Sequence, residues 1–135
     1  MDLDHLTAVL ADRLSAVVPA GFHVAAADGM LWYSAEEGKF PGQSGDYRIG
    51  RAGTYVRGNF GAYGADDEEN IVGVAVQVLS ELQDYISEAT HTPWPGATSQ
   101  PDPHGRILDA QLNLWYGEDD NPILACEPIS LDDVD

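Results

Sequence analysis

Four of the chain's six Lys and Arg side chains fall between positions 39 and 57: Lys39, Arg48, Arg51 and Arg57, interleaved with Tyr47 and Tyr55 and followed by Phe60 and Tyr63. Guanidinium groups beside aromatic rings can hold a carboxylate or phosphate, or stack on a planar ligand. Arg48, Arg51, Tyr55 and Arg57 are therefore the candidate ligand-binding set. The glycine-rich GNFGAYG at 58–64 leads into a helix, an order that can cradle phosphate. Its details argue otherwise. There is no GK[ST], the glycines are not spaced GxGxxG, and Asp66, Asp67, Glu68 and Glu69 occupy the helix start that an anion would need. The simpler task for these arginines is to neutralise acids of the same chain.

A second set is acidic. Gln77, Glu81, Asp84 and Glu88 recur at helical steps on one stripe, with no Lys or Arg in the same helix. Such a stripe usually faces water, and it can also meet a basic partner. Glu81, Asp84 and Glu88 are accordingly candidate partner-binding residues. Without a histidine on that stripe, carboxylates would suit only a hard cation, and no metal site is assigned. His91, Asp102 and His104 flank a loop at irregular spacing, and no second histidine has ligand spacing to His23. Cys126, the single cysteine, sits among apolar residues with no neighbouring base and reads as a buried thiol. The EDDN turn at 118–121 lacks the spacing and closing glutamate of a calcium loop. No GxSxG, HExxH or Cys–His arrangement is present, so no catalytic residue and no cofactor is assigned.

The elements that position these groups are organised around one segment. Ile71, Ala75, Val78, Leu79, Leu82, Tyr85, Ile86 and Ala89 recur at three- and four-residue steps, which predicts an amphipathic helix from Asp66 to Ala89. Asp66 or Asp67 caps it, and acids in its first turn suit the positive end of the helix dipole. Pro93 and Pro95 end it. Ahead of it, Leu3, Leu6, Val9, Leu10, Leu14, Val17 and Val18 predict a first helix over 3–18, capped by Asp2. Phe22–Ala27 and Met30–Ser34 predict a hairpin about Asp28-Gly29, a strong tight-turn pair. A polar loop over 35–46 and a second hairpin follow, with strands at 47–49 and 54–59. Beyond the central helix lies a Pro- and Thr-rich loop over 90–105, in which Trp94 either anchors the loop on the core, which removes much apolar area from water, or stands exposed as a binding aromatic. Ile107–Tyr116 alternates as one strand. Ile123–Glu127 returns from the EDDN turn, and 132–135 is an acidic tail.

Together these predict one α+β domain over 1–135: two main helices on an antiparallel sheet of about four to six strands, as a two-layer sandwich. Its parts are 1–57 with the first helix and hairpins, 58–105 with the central helix and loop, and 106–131 with the last hairpin.

Leu31-Trp32-Tyr33 recurs as Leu114-Trp115-Tyr116. Each tripeptide falls in a predicted strand, so each tryptophan points opposite to its Leu and Tyr. If Leu and Tyr pack beneath the helices, Trp32 and Trp115 face the other way. Tryptophans on an open sheet face form the kind of apolar patch that marks interfaces. Both are candidate partner-binding residues.

The net charge of −17 is unevenly placed. Residues 1–57 carry seven acids and five bases, whereas residues 58–135 carry sixteen acids and one base, Arg106. Such a surface repels phosphates and anionic lipid, which weighs against nucleic-acid and peripheral membrane binding. No apolar run reaches the length of a transmembrane helix, and the acidic MDLDHL start differs from a secretory signal. A cytoplasmic location is the simplest expectation.

Over residues 85–131, the succession of TPWP, LWYG and an acidic turn resembles small uncharacterised acidic proteins of actinobacteria. Those motifs carry no known chemistry, and the resemblance implies no activity. The element order also resembles small acidic secretion-type chaperones in layout, without the helix that those proteins carry at the end. Three readings of function follow. The first is a non-catalytic protein-interaction or chaperone-like module, dimeric or bound to another protein. The second is a mimic of nucleic-acid charge that occupies a basic protein. The third is a small-molecule or anion binder using the Arg/Tyr cluster over 47–57.

Overall fold

The computed structural model describes residues 2–36, 52–64, 66–96 and 98–133. Helix α3, Asp67–Thr90, runs through the centre of the fold. It forms where the apolar spacing predicts. The Asp66 carboxylate accepts from Glu69 N at 2.8 Å, and His91 closes the last turn in the left-handed conformation, φ 56°. Ile71, Val74, Ala75, Val78, Leu79, Leu82, Ile86 and Ala89 are all buried. Each large side chain of this set contributes about 1.5–3 kcal/mol through burial.

Helix α1, Leu3–Ser15, is capped by Asp2, which accepts from His5 N at 3.1 Å. It buries Leu6, Leu10 and Leu14 and ends three residues before the expected boundary. Val17 and Val18 instead lie in turns, their amides donating to Leu14 O.

The strands are antiparallel throughout, and the α+β class expected from the sequence is what forms. They do not make a single sheet of four to six strands. Among the described residues there are seven strands in two sheets. The first sheet has the order β1-β2-β3, from β1 Phe22–Ala27, β2 Met30–Ala35 and β3 Ala52–Tyr55. The Asp28-Gly29 turn joins β1 and β2 with φ 56° and 76°, as the sequence predicts. The expected strand 54–59 stops at Tyr55. Tyr55 pairs with Met30, where β2 begins, so no ladder partner exists beyond it. Val56–Asn59 turn instead into a short helix, α2, which buries Val56 and is joined to the hairpin by Arg57 N donating to Gly29 O at 3.1 Å. The expected strand at 47–49 lies outside the described residues.

The second sheet contains β4 Pro103–Leu108, β5 Gln111–Gly117, β6 Pro122–Ala125 and β7 Ile129–Ser130, in the order β4-β5-β6 with β7 on the start of β5. The single strand expected over Ile107–Tyr116 is broken. Asp109 and Ala110 both adopt positive φ, 52° and 59°, and fold the segment into a hairpin. Leu112, Leu114 and Tyr116 remain on the buried face, whereas Leu108, now on a different strand, is exposed.

Helix α3 packs against strands of both sheets, and the buried side chains form one core. The approach to β4 depends on Gly105. A Cβ there would stand 3.0 Å from the Leu114 side chain and 3.2 Å from that of Val76. The expected acidic tail extends beyond the described residues, after the 3-10 turn at Leu131–Asp133.

Candidate functional site

Both Leu-Trp-Tyr tripeptides lie on the middle strand of their sheet, β2 and β5. Leu31, Tyr33, Leu114 and Tyr116 are buried beneath α3, while Trp32 and Trp115 are on the outer faces and half-buried. This is the alternation the sequence predicts. Trp32 lies across the ladder from Gly53, over which its ring packs; a Cβ at Gly53 would come within 2.9 Å of that ring. Met30 and the exposed Tyr55 share the face.

Trp115 has different company. His104 lies directly opposite on β4, with ring centroids 5.6 Å apart. Arg106, one alternate step along β4, places its guanidinium carbon 5.5 Å from the Trp115 ring centroid and donates to Asp119 Oδ2 at 3.3 Å. The Trp115 indole N–H is shut off from solvent and has no acceptor among the described residues. An open groove of about 860 Å³ runs here, with Asp102 and Glu118 on its rim and the exposed Ile123 at one side. A flat aromatic floor, carboxylates and one exchangeable cation can bind a side chain that is planar and charged. They provide neither a nucleophile nor a general base aimed at a substrate.

The acidic stripe divides in two. Asp84 and Glu88 are exposed, beside Ser87 and Gln100. Glu81 is partly buried and accepts from the Thr54 hydroxyl of β3. Thr54 has one hydroxyl proton, which goes to the carboxylate, so its oxygen accepts from Tyr33 OH. Tyr33 OH also lies 3.5 Å from Val78 O. Burial holds the Tyr33 phenol well above the usual tyrosine range. Thr54 and Tyr33 are almost wholly enclosed, and the chain Tyr33–Thr54–Glu81 ties β2 and β3 to α3. On the other side of the helix, Tyr116 OH donates to Leu79 O at 2.6 Å.

Of the Arg/Tyr cluster, Arg48 and Arg51 lie outside the described residues. Tyr55 is exposed, and Arg57 pairs with Asp4 of α1, which raises the guanidinium pKa. Its charge joins α2 to α1 across the surface. The glycine-rich stretch is pinned by Asn70, whose Oδ1 accepts from Tyr63 N at 3.3 Å and Gly64 N at 3.1 Å. With Asp66 as the cap, side chains already occupy the start of α3.

Trp94 anchors its loop, edge-on to Tyr116 at 5.3 Å between centroids and with its amide donating to Ser87 Oγ. The same loop is held by Gln83 Nε2, which donates to Pro101 O at 2.6 Å. Cys126 is buried, and burial pushes its thiol up to about 11. Among the described residues, no group of three or more His, Cys, Asp or Glu is placed to hold a metal ion.

Sequence reasoning missed Thr54, Asn70, Gln83 and the stacking of His104 and Arg106 on Trp115. A polar residue amid the apolar stripe, as at Asn70 and Gln83, was the available signal for two of them. No helix among the described residues is long and apolar enough to cross a membrane. Comparison with protein-family models, with curated proteins and with solved structures finds no match.

Proposed function

We propose that the protein is a non-catalytic interaction module that docks a protein partner on the outer face of its second sheet, centred on Trp115. One observation carries this reading: a tryptophan is held outward on the middle strand, over an open groove, between a histidine and an arginine. A tryptophan brings a large apolar surface to a contact, which is why such residues concentrate the energy of interfaces. Asp84 and Glu88, on the exposed side of α3, extend an acidic field that speeds encounter with a basic partner and disfavours nucleic acid and anionic membranes. Trp32, with Met30 and Tyr55, gives the first sheet an aromatic face of its own. Two copies of a chain of charge −17 repel one another, so the partner we favour is a different protein rather than a homodimer.

A mimic of nucleic-acid charge draws on the same acidity and has no use for Trp115, so the two readings separate by mutation. Light scattering on a sizing column, with pull-downs at graded salt, compares wild type with Trp32→Ser and Trp115→Ser. Loss of the complex in Trp115→Ser with an unchanged far-UV spectrum supports docking on this face. Complexes that keep their affinity in both variants and dissolve only with salt would move the function to charge alone.

A further inference from the structure

Resting on that reading, we infer that the groove at Trp115 is a receptor for an arginine side chain of a basic partner segment, and that Arg106 occupies this position in the free protein. Arg106 is the one Lys or Arg of residues 58–135. Its guanidinium lies over the Trp115 ring and reaches Asp119. A planar cation therefore has its aromatic floor and its carboxylate already in place. His104, tilted 31° to the indole, closes one side, and Asp102 and Glu118 add charge at the rim.

Arg106 is loosely held. Its side chain and that of Asp119 are each at least half exposed, at 50% and 62%. Exposed pairs of this kind contribute little and exchange readily. Three carboxylates line the groove against one arginine, so a second guanidinium is attracted into it. Arginine suits the floor better than lysine, because its planar group can stack on the indole while it forks to a carboxylate. The acidity of the surrounding half then selects for a partner segment rich in bases.

The test titrates the full-length chain with a hepta-arginine peptide and, separately, a hepta-lysine peptide at moderate salt. The three tryptophan indole N–H resonances are followed, each assigned from its own Trp→Phe variant. The expected result is that the Trp115 resonance moves most and that arginine binds more tightly than lysine. Arg106→Gln should tighten binding about fivefold by vacating the position. Arg13→Gln, which removes the same charge away from the groove, should change it by less than about twofold. Equal effects of the two substitutions, equal binding of both peptides, or an unmoved Trp115 resonance would overturn the inference. If the partner complex still depends on Trp115 while the peptides leave it undisturbed, docking on this face stands and the arginine receptor falls. If neither depends on Trp115, both fall. A concentration-dependent dimer that Trp115→Ser abolishes would name a second copy as the occupant instead.

Discussion

Tyr33 and Tyr116, one from each Leu-Trp-Tyr tripeptide, bring their hydroxyls to consecutive carbonyls of α3: Tyr116 OH donates to Leu79 O at 2.6 Å, and Tyr33 OH, whose proton goes to Thr54, stands 3.5 Å from Val78 O. The two middle strands thus grip the helix at its midpoint from two sheets. Helical carbonyls already accept from an amide one turn on, so the phenol adds a second bond. Replacing Tyr116 by Phe removes the shorter contact without leaving an orphan. It should cost on the order of 1 kcal/mol, a fall of about 3–5 °C in Tm for a chain of this size, read by thermal melting. No change would mean that the hydroxyl is not bonded in solution.

Thr54 stands between Tyr33 and Glu81, and the effect there is larger. Thr54→Val leaves an enclosed phenol and a partly buried carboxylate without their shared partner, so a loss of about 2 kcal/mol is expected. Adding Tyr33→Phe to Thr54→Val should cost less than the sum of the two single changes, because both act on one network. Chemical denaturation of the two single variants and the double variant checks this; strict additivity would show that the network is not coupled.

Two hairpin turns separate what the sequence showed from what it hid. Asp28-Gly29 announces itself, because glycine tolerates positive φ at no steric cost. Asp109-Ala110 makes an equivalent turn with an alanine at φ 59°, a residue that gives no turn signal. Alternation runs on through it, so the pattern predicts one strand where there are two. The cross-strand pairing of His104 with Trp115 was hidden for that reason, and with it the groove. The buried stripe of α3 was legible from its period; its service to two sheets was not, since a stripe names a buried face and not what covers it. Glu81 sits on the polar stripe by spacing, and its partner Thr54 is distant in sequence. Ala110→Gly should relieve the left-handed alanine and stabilise the protein by about 0.5–1 kcal/mol, seen as a higher denaturation midpoint with an unchanged slope. Destabilisation would contradict the turn geometry.

Cys126 gives the pH dependence a direction. Its thiol ionises ordinarily near 9 and in the folded chain at about 11. The folded state keeps the proton that the unfolded chain loses, so this contribution is whole below pH 9 and is lost as the pH rises to about 11. At most it is on the order of 3 kcal/mol. Tyr33 and Tyr116, both raised by burial, extend the decline to higher pH. Denaturation midpoints across this window should fall in wild type and fall less steeply in Cys126→Ala. A flat wild-type profile would place the thiol in water.

We propose that the Trp115 face, and not acidity at large, receives the partner. A photo-crosslinking phenylalanine analogue at Ile123, exposed at the side of the groove, tests it in extract against the same probe at Ala8, exposed on α1. Docking on this face gives a discrete adduct with a basic protein from position 123, lost on Trp115→Ser and absent from position 8. The same adduct from both positions, or one that survives Trp115→Ser, would contradict it.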